Sequence, residues 1–177
     1  GNKMFNKLQK AIVLGLSDFT IGLFQTAIAE WEVNYVGISA GDDQDIVITL
    51  KSNPMANIEE ACLSVTFARM LSGNSANNVT LFVTLDGVSL ADKQDQAHKL
   101  MCTTPSSMSC EITLGDNLEA FLGNGGVKKD NMVVCPLCWG ARYPGKKPDY
   151  GVLPGQDGVP GNAIGTMMVN ADKILDF

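Results

Sequence analysis

Two cysteines spaced C-x-x-C, Cys135 and Cys138, close the apolar run Met132-Val133-Val134 and are the clearest candidates for chemistry in the chain. Thiols at that spacing can exchange a disulfide, pass a sulfane sulfur as a persulfide, or supply half of a tetrahedral zinc site. The plain alternative is a pair of small thiols packed under Trp139. Pro136 suits the first position of a helix, which puts Cys135 at the helix's positive end, where unpaired amides stabilise a thiolate. Cys135 is therefore the expected nucleophile. Cys138, one turn on, faces the same side and can close a disulfide on Cys135 or receive sulfur from it.

The other cysteines sort by context. Cys102 and Cys110 offer a second ligand pair, so Cys102, Cys110, Cys135 and Cys138 form an alternative zinc set, although the seven-residue gap is not the short knuckle usual in structural sites. They could equally pair as a disulfide in an exported protein, or be plain loop thiols. Cys62 falls on the apolar face of a helix and reads as core. Five cysteines are an odd number, which fits a reducing, cytoplasmic setting with reactive thiols better than a secreted disulfide framework; an exported or periplasmic location is the alternative. The single histidine, His98, lies in a polar run and reads as part of a solvated helix face, so Ser/His/Asp catalysis is disfavoured.

The elements that position these residues alternate between strand and helix. Ile46 to Leu50 is short and β-branched, followed by the turn-prone Lys51-Ser52-Asn53-Pro54. Asn57 and Glu60 make a capping pair, and Ile58, Ala61, Cys62, Val65, Ala68 and Leu71 keep helical spacing until Gly73. Val79 to Leu85 is a second strand ending at Asp86-Gly87-Val88, and Ser89 to Leu100 can form the next helix. Asp116 and Glu119 frame a short helix ending near Gly123, after a Thr/Ser/Pro-rich insertion. Asn131 to Val134 is a third strand, residues 144–161 a long loop, Ala163 to Asn170 a helix, and Lys173 to Phe177 a final strand.

This alternation predicts an α/β fold of three layers: a mostly parallel sheet with helices on both faces. Ligands in such sheets bind beyond the carboxyl ends of the strands. Asn53, Asp86 and Gly87 should therefore converge with the cysteines and line the substrate position. Asp86 is either a general acid or base beside Cys135 or a turn former before Gly87. Gly123-Asn124-Gly125-Gly126 follows a helix and lacks the order of a phosphate-binding loop, which sets aside nucleotide hydrolysis.

Residues 1–44 read as a helical extension preceding the domain at 45–177. Phe5, Leu8, Ile12, Leu16, Phe19, Leu23 and Ala27 recur at spacings of three or four, the ridge of a packing or oligomerisation helix. Lys3, Lys7 and Lys10 before an apolar run closing as Ala27-Ile28-Ala29 also look like a secretory signal, interrupted by Asp18. A membrane span is disfavoured by Asp18, Gln25 and their polar neighbours.

Composition narrows the function classes. The sequence is 177 residues, 45% hydrophobic and 18% charged, enough for one well-packed core. Thirteen basic against nineteen acidic residues give a net charge of −6, which opposes nucleic-acid binding. No cofactor is implied.

In their order and spacing, three stretches resemble the DsrE/DsrF-like family of small sulfur-relay proteins, which includes the Tus sulfur-transfer subunits. They are Val79 to Val88, the junction Met132-Val133-Val134-Cys135, and Ala171 to Phe177, and the likeness spans roughly 45–177. The resemblance implies a parallel sheet flanked by helices, homo- or hetero-oligomers, and a cysteine after the third motif strand, Cys135 here, that carries sulfur as a persulfide between donor and acceptor proteins. Cys138, the Cys102/Cys110 insertion and the N-terminal helix lie outside the minimal family pattern. The leading expectation is a sulfurtransferase-like carrier. A dithiol redox protein using Cys135 and Cys138, or a non-enzymatic oligomeric module whose cysteines bind metal or pack, are the alternatives.

Overall fold

The computed structural model describes residues 43–102, 112–156 and 158–177. The chain divides into two units, 1–42 and 43–177; the expected N-terminal helix, signal-like run and oligomerisation ridge, and Cys110, lie outside the described residues.

Strand β1 (Gln44–Leu50) and strand β2 (Asn77–Val83) are consecutive parallel neighbours, joined by helix α1 (Ile58–Leu71). Strand β5 (Met132–Val134) adds to the far side of β2, and strand β6 (Lys173–Asp176) to the far side of β1. The order β5-β2-β1-β6 is parallel throughout. Between them, strands β3 (Met101–Cys102) and β4 (Ile112–Thr113) form a separate antiparallel pair.

Parallel strands must be buried on both faces, so their sequences are continuous apolar runs rather than alternating ones. Ile46, Ile48, Leu50, Leu81 and Val83 on one face are nearly solvent-free, covered by α1, against which helix α2 (Leu114–Leu122) packs. The opposite face presents Val47, Phe82 and Val133, joined by Val152 and met by Ile164, Met167 and Met168 of helix α4 (Ala163–Asn170). The predicted three-layer α/β architecture with helices on both faces is therefore the architecture observed.

The helix starts follow the expected physics in two places. Asn57 accepts the Glu60 amide at 3.3 Å, and Thr113 accepts the Asp116 amide at 3.1 Å, each supplying an acceptor to an otherwise orphaned first-turn donor. The expected helix over Ser89 to Leu100 is instead two short 3-10 segments, Leu85–Ala91 and Gln96–Lys99. Asp92 and Asp95 explain the break: their carboxylates accept the amides of Gln94 and Ala97, local bonds that compete with a continuous helix.

Cys62 and Cys102 form a disulfide. Cys62 lies in the core as expected, but as half of this bond; Cys102 is not paired with Cys110, and its sulfur is not open to metal. Among the described residues no helix is long and apolar enough to cross a membrane.

Candidate functional site

The carboxyl end of β2 and the carboxyl end of β5 lie side by side, held by the Cys135 amide donating to the Val83 carbonyl at 2.9 Å. Helix α3 (Pro136–Arg142) begins immediately after, with Cys135 at its cap position and Pro136 at its first turn. Both cysteines are free and half-buried. Trp139, at 2% exposure, stacks on Tyr143 and donates its indole N–H to the Lys146 carbonyl, fixing the helix against the domain.

The acidities of the two thiols diverge. Burial pushes the Cys135 thiol above its ordinary value, and its interaction with Cys138 pushes the same way. Burial also acts against the Cys138 thiolate, but the hydrogen bonds from Cys135, from the Thr84 hydroxyl and from the Leu85 backbone outweigh it, so that thiol is lowered. These directions favour the charge on Cys138. The reason is physical: α3 has only seven residues and a correspondingly small dipole, while Cys135 packs against the apolar cluster under α4.

Thr84 was not among the expected site residues. Its Oγ1 lies 3.5 Å from the Cys138 Sγ. Next to it Leu85 is the only non-glycine residue with positive φ among the described residues, at 49°, and its side chain is 54% exposed. Nothing in the local pattern signals a leucine in the left-handed region, where glycine or asparagine is usual.

The three loop residues expected at the substrate position have other duties. Asn53 accepts the Met55 amide on its carboxamide oxygen and the amides of Ala56 and Asn57 on its carbonyl, and so builds its own turn. Asp86 is ion-paired with Arg142, tying the segment after β2 to α3. Gly87 is a point of close approach, because a Cβ there would stand 2.3 Å from the Leu50 carbonyl oxygen. The loops do converge on one edge of the sheet, and the pair Asp86 and Arg142 borders the cysteines through the Arg142 contact with the Cys138 carbonyl.

No cluster of three or more metal-ligating side chains occurs among the described residues, and the disulfide removes Cys102 from the alternative zinc set. His98 is half-buried rather than on a solvated helix face: its Nε2 meets the Leu90 carbonyl at 3.1 Å, its ring lies against Tyr150, and burial holds it below the usual imidazole range. A separate cleft of about 390 Å³ opens where α4 crosses the sheet, lined by Asp45, Val47, Asn78, Thr80, Met167 and Asn170 among others; neither free cysteine lines it.

Searches with the whole chain found no matching family model, no matching curated protein and no matching solved structure.

Proposed function

We propose that the protein carries sulfane sulfur on the Cys135/Cys138 pair and hands it to a partner's thiol. The observation that carries this reading is a half-buried dithiol at the carboxyl edge of a parallel sheet in which one sulfur, Cys138, lies 3.5 Å from the Thr84 hydroxyl and has its pKa lowered. In the loading step the Cys138 thiolate attacks the outer sulfur of a donor persulfide R–S–SH. The S–S bond breaks, Cys138–S–SH forms and RS⁻ leaves. An acceptor thiolate then takes the outer sulfur in the same way and restores Cys138, so no external oxidant or reductant is consumed. Donor and acceptor proteins are the natural partners of such chemistry. Because Cys62 and Cys102 are cross-linked, we place the relay in an oxidising compartment rather than in the cytoplasm.

The experiment is intact-mass analysis after exposure to a sulfane-sulfur donor, then alkylation and peptide mapping. A gain of one sulfur on the 135–138 peptide, lost in Cys138→Ser, is expected. Equal loading of the Cys135→Ser/Cys138→Ser double variant overturns the reading.

A second reading is favoured by the C-x-x-C spacing, which sets the two free thiols one turn apart at the start of α3. Thiols this close can oxidise to a Cys135–Cys138 disulfide, making the protein a dithiol donor of two electrons to a partner disulfide. A measurable potential for that pair without persulfide loading selects this reading.

A further inference from the structure

Thr84 and Leu85 adjoin the thiolate without belonging to the C-x-x-C motif, and each shows a feature that chain folding alone does not require. The Thr84 hydroxyl lies 3.5 Å from the Cys138 sulfur, although 54 residues separate them in sequence. At the turn that follows, Leu85 holds a left-handed backbone at φ 49° with its side chain turned out to solvent. A bulky residue is kept in that region only where its surroundings determine it, and such strain gathers at sites where a backbone group is aimed at something. Here the strained turn sets the position of Thr84, because the residues on either side of Leu85 are anchored. The Gly87 amide donates to the carbonyls of Lys51 and Thr84, both at 2.9 Å, and the Thr84 amide to the Leu50 carbonyl at 3.0 Å, which fixes the turn on both sides of Leu85.

We propose that Thr84 is the positioning residue of the Cys138 sulfur, its hydroxyl held by the fixed turn at Leu85 so as to cradle the negative charge. It would hold the sulfur anion before attack and receive it again when the outer sulfur is passed on. Its biological use rests on the sulfur-carrier reading given above; its existence does not. The lowered pKa of Cys138 agrees with the geometry, the Thr84 hydroxyl being one of its causes. The other titratable or charged groups bordering the sulfur are Cys135 and Arg142 on α3 and Asp86 on the turn after β2. None of these is altered in the variants below.

The test is the pH dependence of Cys138 alkylation by iodoacetamide in the full chain, read by peptide mapping. No sulfur donor is needed. Thr84→Val, nearly isosteric but without the hydroxyl, should move the inflection upward by about 0.5–1 pH unit, making alkylation near neutrality roughly 3–10-fold slower. Thr84→Ser should restore the parent profile, which a merely structural threonine would not require. Leu85→Gly keeps the turn and relieves the strain, so its inflection should stay with the parent. An unchanged inflection in Thr84→Val, or a shift in Leu85→Gly as large as in Thr84→Val, overturns the cradle. A shifted inflection in Thr84→Val together with no sulfur loading of the parent protein leaves the cradle standing and removes the carrier function.

Discussion

Asp86 and Arg142 are ion-paired across 56 positions of sequence, joining the turn that follows β2 to the last turn of α3. The arginine's second contact, to the Cys138 carbonyl at 3.4 Å, places this pair behind the dithiol. An aspartate engaged in this way serves as an anchor. Both side chains are substantially exposed, so Asp86→Asn is expected to cost about 1 kcal/mol or less and to leave the alkylation rate of Cys138 within about threefold of the parent. Chemical denaturation and mapped alkylation check the two halves; loss of all thiol reactivity would restore a general-base role.

Gly87→Ala should be far more damaging than Asp86→Asn, one residue away. Its new methyl would meet the Leu50 backbone at 2.3 Å, and backbone cannot swing aside as a side chain can. A loss of about 1–3 kcal/mol is expected, read as a lowered urea midpoint at unchanged slope. A midpoint equal to the parent's would show that β1 and the turn after β2 are not held in the contact described.

Reducing or removing the Cys62–Cys102 cross-link, which closes a loop of 40 residues, should cost about 4 kcal/mol on the chain-entropy account. Cys62→Ser/Cys102→Ser measured by denaturant unfolding gives that number. A non-reducing peptide map should show Cys62 joined to Cys102 while Cys135 and Cys138 take up label.

The two free thiols should titrate apart. Cys135, raised first by burial and then by its interaction with Cys138, should be alkylated appreciably only at pH above the ordinary thiol range, and Cys138 below it. In Cys138→Ala the Cys135 profile should move down but stay above the ordinary value, because burial remains. A Cys135 profile at or below the ordinary value in that variant would mean that the short helix activates it after all.

Acid should weaken the domain through Asp92 and Glu119. Burial opposes the Asp92 carboxylate, but Lys146 and the Gln94 amide outweigh it and hold it below its ordinary value; the Tyr150 hydroxyl, at 2.6 Å, does so for Glu119. Carboxylates lowered by folding contribute stability that is fully present above their unfolded pKa of about 4 and is lost as pH falls through the lower folded value. Asp92→Asn should flatten the fall in melting temperature between about pH 5 and pH 2.

Much of this fold is legible in one sequence because parallel strands announce themselves. Ile46 to Leu50 and Val79 to Val83 are apolar on both faces, and Asn57 marks the start of α1 with a side chain that caps it. The run from Ser89 to Leu100 misleads because its aspartates bind backbone locally, which composition alone does not reveal. The Cys62–Cys102 bond is equally hidden, since spacing says nothing about which distant helix a two-residue strand will lie beside. At the site, the C-x-x-C pair and the edge it occupies are readable, whereas Thr84 reaches Cys138 only through the adjacency of β2 and β5.

The strand order also has a consequence for the birth of the chain. β1 is made first of the strands described here, yet one of its two neighbours, β6, comes more than a hundred residues later, with the Asp45 amide bonded to the Asp172 carboxylate across 127 positions. During vectorial synthesis β1 can pair with β2 early, but its other flank stays open until nearly all of the remaining domain has been translated. That open flank, Ile46 to Thr49, is apolar and β-branched, the kind of edge on which nascent chains stick to one another. Residues 173–176 thus act as a late seal, and a chain truncated just before them would expose a ready template for aggregation.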